Sequence, residues 1–448
     1  MSSSSNSGPS STNVVAAETV ASSPASAAVP VLPTPTPDMA LARQLFDILR
    51  ADSFDGVGVT RDSYGTGEQR AHEQIRTAAE ALGLSVRTDA ALNLYITLPG
   101  QERTAPARVT GSHLDSVPRG GNFDGAAGVI AGLAVVAGCR AAGVTPPADI
   151  VVIGIRAEES AWFPFSYIGS KAALGQLPEA ALAVRRADNG RTLEESLIAL
   201  GGDTAPLRQR TPGIDIARIA RFVELHIEQG PVLEEAGEPV GVVTGICGSV
   251  RYREASALGA YKHSGATPRS HRQDAVVAVA RLVSTLHDDW CDLEAQGHEL
   301  TFTVGRFETD RRQADFSKVP GRVDFCIDVR SRSHATMQAM EARILAATDA
   351  IARQYGVAID LGPRTSSEPA AMDAALCATL TDAARAAGWA YREMPSGAGH
   401  DAALFATAGV PTAMIFVRNQ HGSHNPQEAM QFPDFEKGTQ LLAQLLLR

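Results

Sequence analysis

Residues 107–116 read Ala-Arg-Val-Thr-Gly-Ser-His-Leu-Asp-Ser: a short strand-forming run that stops at Gly111 and hands over to His113 and Asp115. Three more runs read the same way, Ile150 to Ile155, Phe222 to Leu225 and Pro411 to Val417, with small-residue helical stretches such as Gly125 to Ala142 between them. Short apolar runs bounded by turn residues read as buried strands, and their alternation with helices implies an α/β domain. Chemistry comes after each run: His113, then Glu158-Glu159, then His226, then His421 and His424. Open α/β sheets place their ligand groups at the carboxyl ends of strands, so these positions are expected to share one edge.

Working outward, Leu41, Leu45, Ile48 and Leu49 recur at helical spacing, as do Ile75, Ala79 and Leu82 before a stop at Gly83. Residues 1–37 are rich in Ser, Ala, Pro and Thr, without the basic and apolar segments of a secretory signal, and are expected to form a disordered tail. A different texture begins near residue 247. The order there is strand (Val250 to Leu258), helix (Asp274 to His287), strand (Leu300 to Phe307), strand (Val323 to Val329), helix (Thr336 to Tyr355), strand (Val357 to Leu361). This βαββαβ unit is a known small-domain motif. Since a helical stretch, Asp373 to Ala387, and the Pro411 strand come after it, the unit reads as an insertion. The expected division is a tail (1–37), a catalytic domain in two pieces (38–246 and 363–448) and an inserted domain (247–362).

The chain has 448 residues, 44% hydrophobic and 20% charged, long enough for more than one core. A formal charge of −10 excludes nucleic acid as the main partner, because such binders cluster Lys and Arg against phosphates. No stretch spans a membrane, and five scattered cysteines without a CxxC spacing fit a reducing cytoplasm. A small molecule is the expected partner.

His113 is a natural metal ligand, and Asp115, two residues on, can accept a hydrogen bond from its second ring nitrogen. Asp124, in Gly120-Gly121-Asn122-Phe123-Asp124-Gly125, can bridge two cations or merely cap the next helix. Adjacent Glu158 and Glu159 repel one another in a pocket unless a cation intervenes; one can then coordinate while the other takes a proton from an activated water. A solvated acidic loop is the plain alternative. The donors counted this way are His113, Asp124, Glu159, His226 and one of His421 and His424. They are nitrogen and oxygen ligands without sulfur, a set that suits zinc, with manganese or another first-row divalent ion admissible.

Taken together, GSHLDSVPRGGNFDG, AEES, ELHIEQGPVLE, GATPRSHRQDA, KVPGRVDFCIDVRS, PSGAGHDA and SHNPQE make the chain resemble the N-carbamoyl-L-amino-acid hydrolases, allantoate amidohydrolases and β-ureidopropionases, relatives of di-zinc carboxypeptidases and aminoacylases. The resemblance runs from about residue 40 to the C-terminus. It implies a discontinuous di-metal catalytic domain with a central mixed sheet flanked by helices, plus a βαββαβ lid and dimerisation domain, in a homodimer. It also implies that His113 and His226 hold one ion, Glu159 and His424 the other, Asp124 both, and that Glu158 is the general base. His263 resembles an oxyanion-stabilising residue that reaches in from a partner subunit or on domain closure. Arg330 resembles a clamp on the substrate carboxylate, and Gln229, Gly397 and Gly399 resemble further substrate contacts. His400 and Asp401 are expected to be structural supports.

Three positions depart from the family pattern. His421 stands beside the expected ligand His424, Ser317 replaces an Asn that resembles a substrate contact, and residues 160–167 are more aromatic than the pattern, which implies a reshaped pocket. The expected activity is hydrolysis of a linear C–N bond in a small ureido or N-carbamoyl acid by metal-activated water. An N-acyl-amino-acid hydrolase or dipeptidase is the alternative within the same chemistry, and a non-catalytic binding relative the alternative outside it.

Overall fold

The computed structural model describes residues 35–448. The expected disordered tail therefore lies, up to residue 34, outside the described residues. Its last residue, Pro37, is buried, and Asp38 donates its backbone N–H to Ala134 O at 2.9 Å. Asp38 also starts the first helix, Met39–Ser53, by accepting from Leu41 N, and Leu45, Phe46 and Leu49 form its buried stripe. Thr66–Ala81 is the second helix, ending at Leu82 ahead of Gly83, whose φ of 69° is the left-handed stop its sequence predicts.

A nine-stranded mixed sheet organises the rest. Its spatial order is Ser85–Thr88, Leu94–Leu98, Ile150–Ile155, Ala107–His113, Ile219–Ile227, Thr412–Val417 and Val240–Ile246, with Ala370–Ala371 and Tyr391–Ser396 also paired to Val240–Ile246. The four strands of the opening sequence pattern are neighbours and mutually parallel. Strands buried on both faces need apolar residues at every position, which is why they read as continuous runs rather than alternating ones. Val223, Leu225 and Ile415 face one helical layer, with Ala126–Ala141 and Phe432–Leu447; Phe222, Ile153 and Met414 face the other, where the Phe222 and Phe405 rings stack at 3.9 Å.

From Ala126 to Cys139 every residue of the central helix is buried. Its Ala and Gly residues let it lie close against the sheet. A Cβ at Gly128 would stand 2.3 Å from Leu225 O and 2.7 Å from the Ser112 side chain.

A second sheet of six antiparallel strands forms around Gly248–Leu258 and Arg322–Ser331, with Cys247 alone between it and the large sheet. Helices Ala275–Ala295 and His334–Tyr355 cover one face, burying Val250, Tyr252, Ile327 and Val329. The expected strand Leu300 to Phe307 is broken into Thr301–Thr303 and Phe307–Thr309. The break lies beside Cys326 of Arg322–Ser331, which stands opposite a bulge in Gly248–Leu258, and there Arg306 O accepts from Cys326 N. Arg364–Ser367 also pairs with Gly248–Leu258, so the small sheet's pairing runs past residue 362. No helix among the described residues is long and apolar enough to cross a membrane.

The close helix-to-sheet approach gives a direct test. Gly128→Val is expected to destabilise the fold by about 2–3 kcal/mol through overpacking, read as a lower urea midpoint. An unchanged midpoint would contradict the packing described here.

Candidate metal centre

Because four neighbouring strands are parallel, their carboxyl ends share one edge. His113 closes its strand and His226 is the penultimate residue of Ile219–Ile227, while Glu158 and Glu159 lie just past the end of Ile150–Ile155. His424 arrives on the loop after Thr412–Val417. Asp124 lies between them all. One of its oxygens, Oδ1, is 3.1 Å from His226 Nε2 and 3.6 Å from His113 Nε2; the other, Oδ2, is 3.3 Å from His424 Nε2. His424 Nε2 is also 3.1 Å from Glu159 Oε1. Two groups of donors result, His113, Asp124 and His226, and Asp124, Glu159 and His424, sharing the one carboxylate.

The imidazoles are oriented for coordination. His113 Nδ1 donates to Asp115 O at 3.0 Å and lies 3.2 Å from its carboxylate; His226 Nδ1 donates to Ile227 O at 2.9 Å. Carbonyl oxygens only accept, so each Nδ1 carries the proton and each Nε2 keeps a lone pair beside Asp124, that of His226 also accepting from the Gly125 N–H at 3.2 Å. Asp124 Oδ1 is buried and has no hydrogen-bond partner. Lone pairs aimed at a desolvated carboxylate repel unless protons or cations stand between them, and this nitrogen and oxygen set fits divalent ions. The hydrogen bonds to Asp124 and Glu159 push the His424 imidazole up to about 11.

The Asp124 loop is held by residues outside the donor set. Gly125, with φ 67°, lies so close under His113 that a Cβ would meet its ring at 2.5 Å. The helix Ala126–Ala141 has no side-chain cap, so Asp124 does not serve as one. Its Oδ2 instead accepts from Gln229 Nε2 at 2.9 Å and Ser423 Oγ at 2.7 Å. Asp115 fastens the neighbouring loop, accepting from Ser63 Oγ and from the amides of Glu158 and Glu159. Glu158 itself is buried; desolvation pushes its carboxyl well above the ordinary range, with His113 opposing and Glu159 adding to the rise.

These residues line one wall of a cavity of about 610 Å³. The small sheet supplies the other wall through Arg251, Arg253, Arg306, Asp328 and Arg330. Arg330 gives Nε and Nη2 to Asp328 and Nη1 to Gly397 O at 3.0 Å, leaving two of its five N–H groups for a ligand. Gly399 lines the cavity under Tyr167, where a Cβ would stand 1.8 Å from the phenol oxygen. His400 bonds Ser396 Oγ at 2.9 Å and packs 4.5 Å from the His226 ring; Asp401 is buried at the start of the next helix.

Other sequence expectations fall elsewhere. His263 and Ser317 do not line the cavity: both are exposed on a small ribbon, joined through Ser264 N and Ser317 O at 2.8 Å. His421 is also outside, and His424 takes the place by the donors. The aromatic run mostly packs inward, Phe163 being fully buried and Trp162 lying under Arg186; only Tyr167 of its aromatic residues lines this cavity.

Sequence reasoning missed two buried supports. Arg61, fully buried, donates to Leu114 O, to Asn122 Oδ1 and to backbone oxygens of the Asp124 loop. Glu428, the last residue of the SHNPQE segment, accepts from the amides of Phe123 and Asp124 and from Ser423 Oγ, tying the His424 loop to the Asp124 loop. That segment was the available signal for Glu428. Arg61 had none.

The family profile for peptidase family M20/M25/M40 matches residues 109–448. The chain belongs to that family. It is 36% identical over 389 residues to an N-carbamoyl-L-amino acid amidohydrolase of Geobacillus stearothermophilus, covering 86% of this chain and 92% of the relative. It is 34% identical to an allantoate amidohydrolase of Escherichia coli K12, over 87% of this chain and 92% of that one. Among solved structures, an amidase of the hydantoinase/carbamoylase family from Burkholderia multivorans superposes with a TM-score of 0.80 at 28% identity, covering 93% of this chain and 98% of that chain.

The role of Glu428 is testable apart from catalysis. Glu428→Ala leaves the amides of Phe123 and Asp124 without their acceptor, which should cost about 2 kcal/mol and lower both the thermal midpoint and retained metal. Equal midpoint and metal content would show that the two loops hold without it.

Proposed function

We propose that this chain is a metal-dependent amidohydrolase that cleaves a non-peptide C–N bond in a small carboxylate-bearing ureido compound, such as an N-carbamoyl-L-amino acid or allantoate. The observation that carries this reading is the pair of three-donor groups sharing Asp124 beside buried Glu158. The names of the relatives across most of the chain favour linear ureido substrates over dipeptides.

His113, Asp124 and His226 would hold one divalent ion and Asp124, Glu159 and His424 a second, zinc or manganese by donor type. Such ions, when bound, polarise the scissile carbonyl and make a water acidic near neutral pH. Glu158 then accepts the proton of the attacking water and delivers it to the leaving nitrogen. An N-carbamoyl substrate yields ammonia, carbon dioxide and the amino acid. Arg330, kept in place by Asp328, offers its remaining N–H groups to the substrate carboxylate, and Gln229 steadies Asp124 at the mouth. Gly397 fixes Arg330 through its carbonyl, and Gly399 leaves room for Tyr167.

His263 and Ser317 belong to this reading only if their ribbon moves onto the cavity or comes from a second copy of the chain. We assign the inserted unit, residues 247–362, that lid and dimer role, with the remaining ordered chain as catalytic domain. Five free cysteines accord with a reducing, cytoplasmic setting.

Glu158→Gln is expected to keep its bound ions by elemental analysis yet lose about 10²–10⁴-fold in turnover, scored as ammonia release across N-carbamoyl amino acids, allantoate, ureidoglycolate and N-acyl amino acids. Substantial residual activity would remove Glu158 from the base role. Exhaustive chelation should abolish turnover and divalent ions restore it; full activity in demetallated protein would sink the mechanism.

A further inference from the structure

The cavity wall made by the small sheet carries more positive charge than one substrate carboxylate needs. Along Gly248–Leu258 the alternation of a strand puts Val250 and Tyr252 toward the covering helices and Arg251 and Arg253 toward the cavity. Across from them on Arg322–Ser331, Ile327 and Val329 are buried while Asp328 and Arg330 face the cavity. The pairing shifts between Phe325, opposite Ala255, and Ile327, opposite Tyr252. Arg253 and Glu254 therefore stand against the single residue Cys326, a bulge that returns Ala255 and Ala257 to the helix-covered side just after Arg253.

Asp328 is the one carboxylate on that wall, and it is already engaged by Arg330 and by Arg251, opposite it in register. Arg253 and Arg306 form no ion pair among the described residues. The side-chain bonds of Arg253 go to Ser160 Oγ at 3.1 Å, and those of Arg306 to the Arg253 and Phe325 carbonyls. Guanidinium groups without a counter-charge, half-buried at Arg253 and exposed at Arg306, beside a cavity whose opposite wall gathers cations, leave an anion-binding site to be filled by the ligand. Room for it exists: Arg251 and Arg253 also border an adjoining cavity of about 430 Å³, reached past Tyr167.

We propose that the substrate carries a second carboxylate, received by Arg253 with Arg306, so that the cavity selects N-carbamoyl or N-acyl amino acids with acidic side chains. Arg330 takes the main-chain carboxylate and Arg253 the side-chain one. This rests on the amidohydrolase reading above and deepens it to a substrate class.

N-carbamoyl-L-aspartate and N-carbamoyl-L-asparagine differ in charge at nearly equal shape, so the full-length metal-loaded enzyme can be compared on the pair. The aspartate compound is expected to be preferred at least about tenfold in kcat/KM, chiefly through KM. Arg253→Gln should bring the ratio near one, Arg253→Lys should keep part of it, and Arg306→Gln, at an exposed position, should lower it without a change in unfolding midpoint. Calorimetric binding of both compounds to metal-loaded Glu158→Gln separates the two claims. Preferential aspartate binding without hydrolysis by the wild type would overturn the reaction and keep the anionic pocket. Hydrolysis of both without preference, a ratio untouched by Arg253→Gln, or no binding of either would overturn the pocket.

Discussion

Everything at this site turns on a single desolvated carboxylate. Asp124 is buried to within a few per cent, one of its oxygens has no hydrogen-bond partner, and three imidazole nitrogens close on it. Such an arrangement is unfavourable in a protein interior unless positive charge compensates it. The surrounding structure holds it together. Arg61 and Glu428 grip the loop that carries Asp124, Asp115 fixes the backbone that presents Glu158 and Glu159, and the Nδ1 hydrogen bonds set both buried histidines in the coordinating tautomer.

The sheet explains why residues so distant in sequence meet. Four parallel neighbours end on one edge, and each delivers side chains at or just past its carboxyl end. The small sheet then closes the cavity with a wall of opposite character, arginine-rich where the first is rich in carboxylates and histidines. A substrate with anionic groups at one end and an amide or ureido carbon at the other fits between two such walls in one orientation, and orientation of the reacting carbon is itself a large share of catalysis.

The strands legible in the sequence are buried ones, although the buried Leu94–Leu98 and Val240–Ile246 were not read. Ile150–Ile155 and Thr412–Val417 could be read almost to the residue, because buried parallel strands leave uninterrupted apolar runs. Ser85–Thr88 and Tyr391–Ser396 went unread, since they are partly exposed and mix Arg, Glu and Pro with the apolar residues. Ligands at strand ends were readable by their repeated position; Arg61 was not, because a buried charge has no periodicity and only the fold reveals its partners. The aromatic stretch at 160–167 divides: Phe165 and Tyr167 border the two adjoining cavities, whereas Phe163 packs against Tyr64 in a satellite core. His263 could not be placed from one chain, as its neighbours in space are Lys318 and Ser317 rather than the cavity.

The most direct test of the shared carboxylate is anomalous diffraction from crystals of the purified, metal-replete protein, collected on either side of the zinc and manganese edges. Two anomalous peaks are predicted, one beside His113 and His226, the other beside Glu159 and His424, with Asp124 in reach of both. An empty cavity in metal-replete protein, or a single ion that leaves Asp124 uncoordinated, would contradict the account.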